Sequence, residues 1–475
     1  MPDILSVGID IGTSTTQLVF SRITMENTTG YFSVPRVSIT GKQVIYKSEV
    51  YLTPLLTPVL IDGSAVREIV AGEYRKAGFT PAEVDTGAVI ITGESARKEN
   101  AEAVLMELSR FAGEFVVSTA GPDLESVVAG KGSGAYQYSL DHDLRTVNLD
   151  IGGGTTNIVV FDSGVVKARS CYDIGGRLVR LDRDLTVQSV SPSADRVARA
   201  VGVTLRPGAR TTAEELRRVT DKMADLLAQS LAVKPQEPLL EEVRTAGSSP
   251  METGGKRPDR LFFSGGVADC MSAEKDSFPY GDIGVLLGRS IARGVLASSI
   301  PVVRGSETIR ATVVGAGTYT TSISGSTITY AATLLPMKNI PALRLGEDEE
   351  QSCFRGDWRP LAFRLRWFLE QSGADQVIVA LQGKDDPSYE ELKHAAASLA
   401  RAAEEVLAPE RPLLVVLEKD IAKALGLRIR EELGGRRKVV CIDGIRAEQG
   451  DYVDLGRPVM DGMVIPVVVK TLLFG

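Results

Sequence analysis

Residues 7–19 read VGIDIGTSTTQLV, and residues 147–159 read VNLDIGGGTTNIV. At a constant offset of 140, Asp10, Ile11, Gly12, Thr15, Thr16 and Val19 recur as Asp150, Ile151, Gly152, Thr155, Thr156 and Val159. A repeat this long is not a solenoid unit; it marks two copies of one domain-sized element. Each copy has the same local form. An apolar run enters a Gly/Ser/Thr turn and a second apolar run leaves it, which is the pattern of a β-hairpin. A P-loop or a dinucleotide site would place a helix after the glycines. The stretches that actually follow, Gln-Leu-Val-Phe and Asn-Ile-Val-Val-Phe, are poor helix sequence.

The turn chemistry suggests a ligand. Gly12, Thr13, Ser14 and Thr15 in one copy, and Gly152, Gly153, Gly154, Thr155 and Thr156 in the other, offer hydroxyls and closely approachable backbone N–H groups that can cradle phosphate oxygens. Asp10 and Asp150 stand at corresponding strand ends and would face one another if the halves pack as a pseudo-twofold pair. Two carboxylates converging on a triphosphate suit Mg²⁺, held directly or through its waters. One such hairpin alone is as readily a turn capped by Asp; two aligned copies favour a paired phosphate clamp.

Composition bounds the partners. The 475 residues exceed one ordinary core, and roughly three domains are expected. With 54 basic and 61 acidic residues the net charge is −7, without the basic excess that points to nucleic acid or an anionic membrane. No stretch approaches the roughly 18 to 20 apolar residues of a membrane span, and residues 1–12 lack a signal-peptide pattern, so a cytoplasmic location is expected. Cys171, Cys270, Cys353 and Cys441 are far apart, and His142 and His394 are the whole histidine complement. Buried free thiols and surface histidines are expected, not a zinc site.

The rest of the chain reads as α/β. In residues 1–143, strands are expected at 31–38, 43–51, 88–91 and 114–117, with helices at 63–77, 95–111 and from 123. In residues 144–299, a helix is expected at 213–231, where Leu216, Val219, Met223, Leu226 and Leu227 fall at helical spacing. A mobile Pro/Gly/Ser-rich loop is expected at 234–257. Residues 260–270, RLFFSGGVADC, run as a strand into Gly265-Gly266, where a flat base could lie on backbone. Two segments are rich in small residues, 121–135 and 282–294; Gly284, Gly288 and Ala292 are four apart, a spacing that lets two helices cross closely. Residues 300–475 read as an appended region. It holds a Ser/Thr-dense stretch at 318–329 (an exposed hairpin, or a third phosphate contact), an acidic connector at 346–356 and a βαβαβ run over 376–442.

The order of these features resembles the actin, Hsp70 and sugar-kinase ATPase superfamily: hairpin with Asp10, connecting helix, hairpin with Asp150, strand ending in Gly265-Gly266, second connecting helix. The segment 173–176, DIGG, is similar to the glycine pair those proteins carry after the second hairpin. The resemblance implies duplicated ribonuclease H-like halves that bind ATP with Mg²⁺. It implies connecting helices at 121–135 and 282–294. It also makes Glu125, at the start of the first of these, the candidate that positions a water or a metal-bound water, although a Glu favoured by the helix dipole reads equally well. Relatives in that superfamily often have Asp where this chain has Asn157, which implies slow hydrolysis.

A closer resemblance covers the whole chain. ITGESARKENA at 91–101, STAGPDLESVVAGKGSGA at 118–135, IRATVVGAGTYTTSISGSTI at 309–328 and the ending GDYVDLGRPVMDGMVIPVVVKTLLF resemble the ethanolamine ammonia-lyase reactivating factors. That resemblance implies a chaperone that uses ATP to release inactivated cobalamin from the lyase so that adenosylcobalamin can rebind. The lyase would be the protein partner and would hold the corrinoid itself, because no DxHxxG-type cobalamin signature is present. Association with a bacterial microcompartment is left open. Two further readings stand beside it: a metabolite kinase of the same fold, which would need a general base beside a substrate hydroxyl, and a nucleotide-regulated scaffold or filament protein.

Overall fold

The computed structural model describes residues 3–27, 37–57, 59–92, 95, 98–112, 116–119, 122–252, 254–319, 321–324, 328–449, 451–458 and 462–471. Strands β1 (Asp3–Ile11), β2 (Thr15–Asn27) and β3 (Val37–Lys47) form an antiparallel meander. Helix α1 (Gly63–Ala77) follows, then β4 (Thr86–Ile91) parallel to β1, helix α2 (Ala101–Ala112) and β5 (Val116–Thr119) parallel to β4. The strand order is β3-β2-β1-β4-β5. Residues 31–36, 96–97 and 114–115, on which part of three expected elements falls, lie outside the described residues. The helix expected from residue 95 begins at Ala101, because the Asn100 side chain is engaged with both backbone groups of Ile61.

After helices α3 (Pro122–Gly132) and α4 (Ala135–His142), the second half repeats the plan. Strands β6 (Arg145–Ile151), β7 (Thr156–Asp162) and β8 (Val165–Tyr172) form the meander, and α5 (Ala213–Ser230) precedes β9 (Arg260–Ser264), which is parallel to β6. The order β8-β7-β6-β9 matches β3-β2-β1-β4. Helix α5 starts on a capping box between Thr212 and Glu215 and buries all five residues of the predicted stripe. The expected mobile loop at 234–257 is instead folded onto β8 where it is described. The Ser248 hydroxyl accepts from the Cys171 N–H at 2.7 Å, and the Thr245 N–H donates to the Cys171 carbonyl at 2.9 Å. Its polar composition serves those bonds, which periodicity cannot show.

The expected second connecting helix also moves. Helix α6 (Gly266–Cys270) and α7 (Gly284–Arg293) follow β9, and α7 packs on α5 and α6, inside the second half. The small residues of α7 serve that packing: a Cβ on Gly288 would stand 2.9 Å from the Val267 carbonyl oxygen. The element beside β9 that corresponds to β5 is the short extended segment around Val302, bridged in parallel to Leu261. The helix after it, α8 (Ala311–Tyr319), corresponds to α3. The expected domain boundary at 299/300 therefore falls inside one continuous unit. The two halves exchange these helices: α3 packs on β6, β7 and β8, and α8 packs on β1, β2 and β4.

The remaining chain forms one seven-stranded sheet. Strands β10 (Thr321–Ile323), β11 (Met337–Arg344), β12 (Ile378–Leu381), β13 (Leu413–Leu417), β14 (Val439–Ile442), β15 (Asp451–Leu455) and β16 (Pro466–Thr471) run in the order β10-β16-β15-β11-β12-β13-β14. The β11 to β14 part is parallel, linked by α9 (Glu347–Phe354), α10 (Arg359–Ser372), α11 (Tyr389–Val406) and α12 (Ala422–Glu432). The βαβαβ run is thus present. The acidic connector is helix α9, whose first turn holds Glu347, Asp348, Glu349 and Glu350, the charge sign a helix N-terminus favours. The Ser/Thr-dense stretch supplies β10, paired to β16, and makes no hairpin of its own among the described residues. Val468 of β16 packs with Ala88, Ile90, Val128 and Ala316, so the appended sheet rests where α3, α8 and the first half meet.

Among the described residues no helix is long and apolar enough to cross a membrane. Cys171, Cys353 and Cys441 are buried free thiols, and Cys270 is half-buried.

Candidate functional site

Both hairpin turns close with the same bond. The Gly12 N–H donates to the Thr15 carbonyl at 2.8 Å, and the Gly152 N–H to the Thr155 carbonyl at 2.9 Å. In register, Asp10 lies opposite Gln17 and Asp150 opposite Asn157. Around the Gly12 carbonyl the first half fixes its turn with hydroxyls of Thr53 (2.8 Å) and Ser95 (3.0 Å). In the second half the glycine pair of DIGG does the equivalent work. The Gly176 N–H donates to Gly152 O at 3.0 Å, and a Cβ on Gly175 would stand 2.5 Å from Gly153 O. Only glycine allows that approach.

The two turns face each other across a cavity of about 850 Å³. A Cβ on Gly153 would lie 2.6 Å from the Ser14 Oγ of the opposite half. The cavity is lined by Asp10, Gly12, Thr13, Ser14 and Thr15 from one turn, and by Asp150, Gly152, Gly153, Gly154 and Thr155 from the other. Glu125, Gly265 and Gly266 also line it. Gly265 adopts φ +83°, and a Cβ there would stand 2.3 Å from the Ile151 carbonyl oxygen, so glycine is what lets the end of β9 lie against the second hairpin at the cavity edge. Thr156 is not among the lining residues. It is fully buried and its hydroxyl donates to Ile174 O at 2.7 Å, tying β7 to the DIGG segment. Asn157 is also buried and is not among the lining residues; as the cross-strand partner of Asp150 it lies on the same face of the sheet.

The paired aspartates are the electrostatic centre. Asp10 is 8% and Asp150 6% exposed. Thr92 donates to Asp10 at 3.0 Å; Ser264 donates to Asp150 at 2.6 Å, and Thr312 of α8 at 3.3 Å. Burial nevertheless pushes the Asp10 carboxyl up from its ordinary 3.8 to about 7, with the neighbouring Asp150 charge adding to it. Burial likewise pushes Asp150 up to about 6. A cation bound between them would have to displace these protons. Among the described residues no third His, Cys, Asp or Glu closes a metal site around them, so a cation there would complete its shell with water and ligand oxygens.

Several lining residues were not singled out by the sequence reading: Thr92, Arg177, Asp269, Asp282 and Thr312. They come from five different segments, and only tertiary packing gathers them. One signal was available for Thr312. The run VVAGKG at 127–132 has a counterpart in VVGAGT at 313–318, which marks α8 as the mate of α3.

The family model described as "Ethanolamine utilisation protein EutA" matches residues 2–475. The chain belongs to the EutA family. The protein of Salmonella typhimurium named "Ethanolamine ammonia-lyase reactivase EutA" is 35% identical over 472 residues, covering 99% of this chain and 98% of its own. The Escherichia coli protein of the same name is 35% identical over 474 residues with the same coverage. Among solved structures, an Aquifex aeolicus Ppx/GppA phosphatase is similar over 66% of this chain and 99% of its own, at 16% identity and a TM-score of 0.39.

Proposed function

We propose that the chain is an ATP-dependent reactivating factor for ethanolamine ammonia-lyase, a remodelling chaperone that promotes release of inactivated cobalamin from that enzyme. The observation that carries the nucleotide half of this reading is the facing pair of Asp-Ile-Gly hairpins with Asp10 and Asp150 buried between them. The lyase half rests on two full-length relatives named as its reactivase. A metabolite kinase of the same fold has no comparable support.

The site's residues fit ATP and Mg²⁺. Thr13, Ser14, Thr15, Gly153, Gly154 and Thr155 present amides and hydroxyls to phosphate oxygens, with Gly12 and Gly152 shaping the turns. Asp10 and Asp150 would hold Mg²⁺, and Gly265-Gly266 leaves open floor for the base. Glu125, 9% exposed on α3, would orient a water. Bound ATP supplies the phosphoanhydride whose binding and cleavage drive the cycle. Because Thr312 bonds Asp150 and Gln17 bonds the Ile309 carbonyl at 3.1 Å, α8 and the residues that lead into it touch both hairpins. A ligand that bridges the hairpins favours the arrangement it binds best. The energy is used on a protein partner.

The test is recovery of cobalamin-inactivated lyase with ATP, Mg²⁺ and fresh adenosylcobalamin, with and without this protein. Recovery that needs the protein and ATP supports the reading; recovery indifferent to either sinks it.

A further inference from the structure

Among the described residues lining the cavity, five are carboxylates (Asp10, Glu125, Asp150, Asp269 and Asp282) and one is a cation, Arg177. A cavity with that balance repels a polyphosphate unless the anion brings metal and finds the one guanidinium. Arg177 is built into the second phosphate turn. Its N–H donates to Gly153 O at 2.7 Å, and its Cγ and Cδ lie 3.3 Å from where a Cβ on Gly153 would stand. The stem is thus packed on the turn, with the guanidinium reaching beyond it. Among the described residues that end has one partner, Asp282, at a long 3.7 Å. The Arg177 side chain is 31% exposed and that of Asp282 8%. Asp282 has a further bond of its own, accepting the Gly284 N–H at 2.9 Å where α7 begins, and Arg180 also lies within its field. Asp282 therefore keeps the Gly284 bond to its other oxygen if Arg177 leaves it.

We propose that Arg177 is a phosphate-counting residue, which parks on Asp282 and transfers its guanidinium to the distal phosphates of a nucleoside polyphosphate seated over Gly153 and Gly154. This deepens the ATP reading and rests on it. A planar fork that can take two phosphate oxygens suits the task better than an ammonium. The contact acts on the polyphosphate tail and not on the nucleoside, so it discriminates tri- and diphosphate from monophosphate. Parking on Asp282 keeps the empty cavity from carrying an isolated partly buried cation.

The experiment is titration of wild type, Arg177→Ala, Arg177→Lys and Asp282→Asn with ATP, ADP, AMP and inorganic tripolyphosphate, each with Mg²⁺, by calorimetry. A charged hydrogen bond of this kind corresponds to about 10-fold to 100-fold in affinity. Arg177→Ala is expected to weaken ATP and tripolyphosphate by that factor while AMP changes little, so the ATP-over-AMP ratio collapses. Arg177→Lys should restore part of it. Asp282→Asn should tighten ATP by a few fold, since the guanidinium no longer leaves a charged partner. An Arg177→Ala protein that stays folded by circular dichroism and keeps the wild-type ATP-over-AMP ratio overturns the assignment alone. A misfolded Arg177→Ala leaves the decision to Arg177→Lys, where an unchanged ratio is the overturning result. A wild type that binds neither ATP nor tripolyphosphate overturns both this assignment and the ATP reading.

Discussion

Gly132 and Ala311 meet backbone to backbone: a Cβ on Gly132 would stand 1.8 Å from the Ala311 carbonyl oxygen. The same crossing recurs one helical turn along, where a Cβ on Gly315 would stand 2.0 Å from Val128 O. Helices α3 and α8 cross here, each carrying its half's end onto the other half's sheet. The crossing sets how closely the two hairpins can approach, so small residues are a steric requirement at these positions.

The first prediction is therefore Gly315→Ala. In an isolated helix alanine would be better by about 1 kcal/mol. Here the new methyl meets backbone that cannot rotate away, and overpacking of this kind costs about 1–3 kcal/mol. Net destabilisation is expected, read as a lower melting temperature by calorimetry. A melting temperature equal to or above wild type would show that the crossing has slack.

Asp10→Asn and Asp150→Asn separate stability from function. Each aspartate is buried and held above its ordinary range, so the neutral amide removes a desolvation cost. The ligand-free variants should melt at or above the wild-type temperature. Their thermal shift on adding ATP with Mg²⁺ should disappear, and lyase reactivation with it. A variant that keeps full reactivation would remove the paired carboxylates from the motor.

The pH dependence follows from the same groups, and its sign is opposite to that of a salt-bridged carboxylate. With folded values of about 7 and about 6 against an unfolded 3.8, the folded state holds protons that the unfolded state has released. Stability contributed by this pair is present below pH 3.8 and is lost as pH rises through the window to about 7. Cation binding needs the ionised forms, so Mg²⁺-dependent nucleotide binding should strengthen across pH 6 to 7.5 and release protons. Calorimetry in two buffers of different ionisation enthalpy measures that release; none at pH 6 would contradict the assignment.

Glu125→Gln tests the water-positioning role. Removing a general base typically lowers the chemical step about 10²-fold to 10⁴-fold. Single-turnover phosphate release should slow in that range with ATP affinity within a few fold of wild type. Unchanged release would leave Glu125 as the acidic residue near the start of α3 and nothing more.

The duplication was legible because it is local. A hairpin is specified by its own turn and two flanking apolar runs, so Asp10, Gly12, Asp150 and Gly152 could be named from spacing. The parallel run β12–β13–β14 was legible for the same reason. The second crossing helix was misplaced for a physical reason. Gly284, Gly288 and Ala292 in α7, and Gly315 and Gly317 in α8, are equally compatible with close packing. Nothing in the residues says which neighbour makes the approach necessary. The turn at 234–257 looked free for a similar reason, since its partners on β8 are remote in sequence.

The sequence by itself determined two glycine-rich hairpins carrying Asp10 and Asp150, their order and the α/β alternation, because turn chemistry and periodicity act over a few residues. Tertiary structure alone decided that α3 and α8 are exchanged between the halves and that the Thr156 hydroxyl is spent on Ile174 and not on the cavity. It also decided that Thr312, Ser264, Asp282 and Arg177 complete the site around the two aspartates. Those outcomes depend on which buried surfaces fit one another across more than a hundred residues of chain, and that is settled only when the cores close.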